Sequence, residues 1–202
     1  MQLRVADIRW HVDTAAPWIA SEIFVQGCFR ACPGCFNTQT WDPDSGYVMD
    51  TDDIIMALRQ HVSYRRLTIS GGEPILQAQA LADMLSKLRA LDKWIILCYT
   101  GYTWEDLCTI MWSDVRRGDD ILNLLMNIDI LVDGPFMAEL SLPMASGRFV
   151  GSTNQRIIDV RKSLGNRNFR IHQWKEPIIN RIKRIVRHER VERGGAYNDR
   201  RI

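Results

Sequence analysis

The chain has 202 residues and a mass of 23.4 kDa, enough for one domain of ordinary size with room for an appendage but not for two independent cores. Hydrophobic residues make up 46% and charged residues 25%, a balance that excludes wholesale disorder and fibrous or collagen-like classes. The net charge of +2 conceals an asymmetry: residues 1–160 hold 13 Lys and Arg against 20 Asp and Glu, whereas residues 161–202 hold 13 against 4.

At the N-terminus, Arg4, Asp7, Arg9, Asp13 and Glu22 leave no room for an apolar export signal. No later stretch approaches about eighteen uncharged apolar residues, so a reducing cytoplasm is the expected location. A first strand is expected at Glu22–Gln26, followed by a cysteine-rich loop. A helix is expected from about Asp52 to Val62 with Thr51 as its N-cap and Ile54, Ile55, Leu58 and Val62 facing inward. A second strand spans Arg66–Ser70. The Gly71-Gly72 turn follows, then a helix from about Gln77 to Leu91 with Leu81, Leu85 and Leu88 on one face. Trp94–Thr100 is a third strand, leading through Gly101 into a helix near Trp104–Met111. Ile128–Val132, ending at Asp133-Gly134, is a fourth strand, and Arg156–Val160 a fifth. Short β-branched runs alternating with amphipathic stretches are the pattern of βα units around a buried parallel sheet. The polar and glycine-rich segments mostly follow the C-terminal ends of these strands, the edge where parallel α/β folds bind ligands.

A boundary falls near Leu164–Asn168, giving a domain over residues 1–165 and a basic helical extension over 166–202. In the extension, Ile178, Ile182, Ile185 and Val186 have helical spacing, with Arg181, Lys183, Arg184 and Arg187 on the other sides; disorder is expected from about Gly194. A basic tail on an acidic body suits nucleic acid or an acidic partner surface, and equally a solvated helix face with a frayed terminus; no nucleic-acid-binding signature accompanies the charge, which favours the solvated face over nucleic-acid binding.

The strongest chemical signal is Gly27-Cys28-Phe29-Arg30-Ala31-Cys32-Pro33-Gly34-Cys35, a Cys-x3-Cys-x2-Cys run just past a strand. In a reducing compartment clustered thiols mean metal or catalysis more often than disulfides. Thiolates favour zinc, copper(I) or iron-sulfur centres. A zinc site would need a fourth ligand such as His11 or His61, and structural zinc sites generally use paired ligands that this chain lacks. Three ligands on a [4Fe-4S] cluster leave one iron open, where a substrate or cosubstrate can coordinate. Cys98 lies in an apolar strand and Cys108 in a helical pattern, so both read as buried small hydrophobes.

The loop resembles the signature of radical S-adenosylmethionine (SAM) enzymes. More narrowly, Val25–Cys28, Cys35–Asn37 and Thr40-Trp41 resemble the anaerobic ribonucleoside-triphosphate reductase activating proteins. So do Thr68–Pro74 (TISGGEP), Tyr99–Glu105 (YTGYTWE), Ile130–Phe136 (ILVDGPF) and Val150–Ile158 (VGSTNQRII). The five blocks keep the family order and cover roughly residues 20–160.

The resemblance implies a fold: an incomplete (β/α) barrel of radical SAM type, with a mostly parallel sheet of about five or six strands. It also implies Cys28, Cys32 and Cys35 as ligands of a [4Fe-4S] cluster whose fourth iron is chelated by SAM. Gly34, Cys35 and Phe36 are then cofactor-binding, with Phe36 covering the adenine side. The Ser70, Gly71, Gly72 and Glu73 motif would contact the methionyl amino group, with Glu73 orienting the loop rather than touching SAM. Thr100, Gly101 and Asp133 are candidates for the ribose and methionine groups, and Asn154 and Arg156 for the last polar block, where Arg156 would pair with the SAM carboxylate.

The implied activity is generation of a glycyl radical on a partner, anaerobic ribonucleotide reductase, with flavodoxin or ferredoxin as electron donor and no side-chain general base. Two departures bear on the partner: Asp13–Trp18 stands where the family has a Gly-Pro-Gly segment, and the chain extends past the family's usual ending. Two alternatives follow. One is a radical SAM enzyme acting directly on a small molecule or peptide. The other is a non-catalytic thiolate-metal module, which leaves the later blocks unexplained.

Overall fold

In a computed structural model, residues 1–143, 148–166 and 168–176 are described. Their order is β1 (Gln2–Val12), β2 (Ala20–Val25), β3 (Tyr47–Asp50), α1 (Thr51–His61), β4 (Arg66–Gly71), a 3-10 turn (Pro74–Gln77), α2 (Ala78–Leu91), β5 (Ile95–Tyr99), α3 (Trp104–Ser113), α4 (Val115–Met126), β6 (Ile130–Asp133), β7 (Arg156–Asp159) and α5 (Val160–Leu164). The strands form one sheet in the order β3-β1-β2-β4-β5-β6-β7. The central strands β2, β4, β5 and β6 run parallel, while β1, β3 and β7 add antiparallel edges.

The parallel centre follows from the βα pattern, because parallel neighbours need a crossover and the helices supply it. The edges depart from the sequence expectation. β1 and β3 have no counterpart among the expected strands, and the sheet has seven strands among the described residues rather than five or six. β7 is antiparallel because only a short 3-10 turn at Ala138–Leu140, and no crossover helix, is described between it and β6.

Alternation divides the sheet into two faces. Ile23, Val25, Leu67, Ile69, Ile96, Cys98 and Leu131 join the helix residues Leu58, Leu81, Leu85, Leu88 and Leu124 in the main core. Leu97, Ile130 and Val132 join Ala16, Phe149 and Val150 in a smaller core on the other face. That second face also carries Glu22, Thr68 and Ser70, all buried, so β2 and β4 turn polar side chains toward the same side.

Local chemistry explains the helix ends. Asp50, not Thr51, caps α1: its carboxylate accepts from the Asp52 amide at 2.8 Å. Thr51 is instead occupied by the N-terminus, which donates to its hydroxyl at 3.0 Å. Thr103 and Asp106 form a reciprocal capping box on α3. Asp114 both ends α3 and caps α4, a helix unassigned from sequence because Arg116 to Asp120 is polar and contains Gly118. A Cβ on Gly118 would lie 2.6 Å from the Met111 carbonyl oxygen, so the glycine permits the close approach of α3 and α4.

The first described residues of the extension pack onto the domain. The Asp159 amide donates to the His172 carbonyl at 2.8 Å and the Trp174 amide to the Ile157 carbonyl at 2.9 Å. Phe169 and Ile171 pack against the main core. The expected helix around Ile178–Val186 and the expected disorder from Gly194 lie outside the described residues. Among the described residues no helix is long and apolar enough to cross a membrane.

Candidate active site

The C-terminal ends of β2, β4 and β5 surround a cavity of about 220 Å³. The cysteine loop forms one wall. Its start is pinned to the segment after it, with the Gly27 amide on the Thr40 carbonyl (2.8 Å) and the Cys28 amide on the Trp41 carbonyl (2.9 Å). Gly34 adopts a φ of +73°, which a glycine takes without strain, and allows the turn that brings the Cys35 amide to the Cys32 carbonyl at 3.1 Å. Cys28, Cys32 and Cys35 all line the cavity, and the Asn37 amide points at the Cys35 sulfur from 3.4 Å.

The second wall is the Ser70–Glu73 turn. The Gly72 amide donates to the Val25 carbonyl at 2.7 Å and the Glu73 amide to the Gly27 carbonyl at 2.8 Å, so this turn is sewn to the root of the cysteine loop. A Cβ on Gly72 would lie 2.4 Å from the Gly27 oxygen. The motif therefore needs glycine for backbone-to-backbone contact.

Glu73 is 1% exposed and ties this turn to the end of β5. Its carboxylate accepts from the Thr100 hydroxyl (2.7 Å), the Gly101 amide (2.8 Å) and the Ile75 amide (3.1 Å). Burial pushes its pKa up, and these donors together with the Arg30 charge oppose that rise. These contacts hold the turn against the start of the loop that follows β5. Burial also pushes the Cys28 thiol up, with Glu73 and the two other thiols adding to the rise.

Other expected site residues are elsewhere. Phe36 lines the cavity but is two-thirds exposed, its ring 4.9 Å from that of Phe136. Gly34 shapes the loop and is absent from the lining; a Cβ there would meet Ala138 at 3.2 Å. Asp133, Asn154 and Arg156 do not reach the wall either, and their expected contacts with SAM need correction. Asp133 is fully buried, accepting from the Trp104 amide at 2.7 Å and from the Arg156 guanidinium, Nε to Oδ1 at 3.0 Å. Arg156 is also held by Glu105, which it approaches at 2.6 Å. Those two carboxylates raise the Arg156 pKa and keep its charge engaged. Asn154 donates to the Pro135 carbonyl at 2.8 Å. The physical reason is shared: β7 runs antiparallel, so its first residue sits beside the end of β6 and neutralises the buried Asp133 there.

Arg156→Ala is accordingly expected to lower unfolding free energy by about 3 kcal/mol, because a buried carboxylate loses its counterion. Glu105→Ala, removing a 63% exposed partner of the same arginine, should cost less than about 1 kcal/mol. Urea denaturation of the two variants checks the difference.

Sequence reasoning missed Glu22 and Arg30, which both line the cavity. Glu22 accepts from the Ser70 hydroxyl at 2.6 Å and is pushed up in pKa by burial. Its legible signal was an acidic residue inside an otherwise apolar strand. Cys98 is fully buried and its thiol is driven up by burial; Cys108 is partly buried against the core.

The donor set fits an iron-sulfur cluster. Three thiols face one cavity, a backbone amide is aimed at one sulfur, and a glycine cradle keeps the opposite wall at backbone distance. A cubane takes one thiolate at each of three corners, so its ligands stand further apart than those of a single ion. Among the described residues no three His, Cys, Asp or Glu side chains converge as a single metal ion requires. Neither histidine considered for a zinc site lines the cavity: His61 stacks on Trp10 with ring centroids 4.7 Å apart, and His11 packs edge-on to Tyr64 at 5.5 Å.

Comparison with known proteins agrees with this chemistry. The family model described as a 4Fe-4S single cluster domain matches residues 19–158. The anaerobic ribonucleoside-triphosphate reductase-activating protein of Vibrio cholerae is 33% identical over 151 residues, covering 70% of this chain and 88% of that protein. The protein of the same name from Escherichia coli K12 is 31% identical over 156 residues, 72% and 91% of the two chains. That of Enterobacteria phage T4 is 29% identical over 144 residues, 67% and 80%. Among solved structures, QueE from Escherichia coli aligns with a TM-score of 0.44 and 19% identity, over 51% of this chain and 54% of that one.

Proposed function

Because the chain belongs to the 4Fe-4S single cluster domain family and to the anaerobic ribonucleoside-triphosphate reductase-activating proteins, we propose that it is a radical SAM enzyme that places a glycyl radical on anaerobic ribonucleotide reductase. The observation that carries the reading is the joining of the cysteine loop to the Ser70–Glu73 turn across one cavity. With a [4Fe-4S] cluster and SAM bound, the chemistry supplied is one-electron cleavage of SAM to methionine and a 5′-deoxyadenosyl radical, which takes a hydrogen atom from a glycine of the partner.

Each residue then has a task. Cys28, Cys32 and Cys35 would hold three irons of the cluster, leaving the fourth for SAM. Gly71 and Gly72 bring backbone close to the methionyl group, and Glu73 holds that backbone against Thr100 and Gly101. Phe36 and Phe136 form an aromatic edge for the adenine and shield the site from water. On this reading the open sheet is the incomplete (β/α) barrel of the superfamily, residues 1–165 are its domain, and 166–202 are a basic extension. The free cysteines suit a reducing cytoplasm, with flavodoxin or ferredoxin as the electron source.

A second reading, direct action on a small molecule or peptide, draws on the altered Asp13–Trp18 segment. Ala15 lines the cavity, and its carbonyl accepts from Tyr99 at 3.1 Å, so this departure reaches the site. Anaerobic reconstitution with iron and sulfide, reduction and addition of SAM separates the readings. 5′-Deoxyadenosine, together with a glycine-centred paramagnetic signal in added reductase, is the expected result. Product formation with no signal in the reductase favours direct action. A fully loaded cluster that cleaves no SAM even with the reductase present overturns both.

A further inference from the structure

We infer that Arg30 is the anion-recognising residue of the cavity, taking the carboxylate of the SAM methionyl group; the inference rests on SAM being the ligand. Among the described residues Arg30 is the single basic side chain lining the cavity. Among the described residues its side chain makes no ion pair or hydrogen bond, and its Nε is buried without a partner; its backbone amide serves the Cys28 sulfur. Such an atom is costly to bury unless a ligand completes it. Glu73 lies close enough to feel its charge, yet both Glu73 oxygens are already taken by Ile75, Thr100 and Gly101.

The side chain is held in place rather than loose. Its guanidinium carbon sits 4.7 Å from the Tyr102 ring centroid, a cation–π arrangement that leaves the planar donor edge free. Its stem lies on Gly101, where a Cβ would fall 2.2 Å from Cδ, so only glycine at 101 leaves it that course. SAM carries one anionic group, the carboxylate, beside two cationic ones. The cavity offers the matching set: one guanidinium among the acidic side chains Glu22 and Glu73. Arg156, the arginine whose sequence position pointed to this role, is spent on Asp133 and Glu105. Arg30 is two residues from Cys28, so a carboxylate it holds is beside the cysteine loop.

The test compares SAM with its decarboxylated analogue, S-adenosyl-3-methylthiopropylamine. Dissociation constants for both are measured by anaerobic equilibrium dialysis on cluster-loaded wild type, Arg30→Ala and Arg30→Lys, with iron content determined on the same samples. Arg30→Ala is expected to weaken SAM about tenfold or more while changing the analogue by less than about twofold, and Arg30→Lys to fall between. Equal losses for both ligands, or no loss for either, overturn the assignment and leave the activase reading standing on 5′-deoxyadenosine formation. Loss of iron from both variants also overturns it, since Arg30 would then be holding the cysteine loop. A wild type that binds neither ligand overturns the assignment and the SAM reading together.

Discussion

Replacing Cys28, Cys32 or Cys35 singly by Ala is expected to reduce cluster iron to background and abolish SAM cleavage, whereas Cys98→Ala and Cys108→Ala retain both. The division follows from placement. The three loop cysteines are half-buried and open to one cavity, so each thiolate can take a separate corner of the cluster. Losing any one leaves two ligands for a group that has already reserved a fourth corner for its cosubstrate. Cys98 is fully buried, its side chain turned to the helix-covered face with Ile96, and it does not line the cavity. Cys98→Ala still removes core volume, at a cost of about 1 kcal/mol, without touching the cavity. Iron and sulfide analysis with the visible absorption of the cluster is the measurement. A Cys98→Ala protein that loads no iron would show that the three-ligand assignment is wrong.

Gly72→Ala is expected to reduce SAM turnover roughly a hundredfold while leaving most of the cluster iron in place. The added Cβ would fall 2.4 Å from the Gly27 oxygen and 2.9 Å from its carbonyl carbon, both backbone atoms with no side chain to give way. Relief requires the Ser70–Glu73 turn to move off the cysteine loop. That movement breaks the Glu73 amide to Gly27 carbonyl bond and shifts the Thr100 and Gly101 contacts that Glu73 organises. Overpacking of this kind costs about 1–3 kcal/mol in stability, but the larger effect is misplacement of the ligand. Turnover, SAM affinity and iron content measured on the same preparation check the prediction. Iron lost in proportion to turnover would assign Gly72 to the cluster wall instead.

Much of this site was readable from the chain because its parts are local. Three cysteines within eight residues must share one loop, and Gly71-Gly72 after an apolar strand must make a turn at a sheet edge. The inward faces of α1 and α2 were likewise readable, since Ile54, Ile55, Leu58, Leu81, Leu85 and Leu88 recur at helical spacing and all are buried. Three elements escaped for identifiable reasons. β3 is the edge strand and β1 its antiparallel neighbour, with only Leu3 and Val5 fully buried between them, so neither carries the continuous apolar run of a central strand. α4 begins with charges and a glycine that read as a loop, although Ile121, Leu124 and Leu125 are fully buried.

Local pattern therefore specified the cysteine loop, its following turn and the parallel βα units that carry them, because each depends on residues within one or two elements. The pairing of charges could not be read that way. Asp133 and Arg156 are 23 positions apart and meet only because β7 turns back antiparallel against β6. Arg30 and Tyr102, 72 positions apart, meet because parallel strands bring their C-terminal loops to one edge. Which arginine neutralises a buried carboxylate and which faces the cavity is a matter of long-range register, and only the folded sheet settles it.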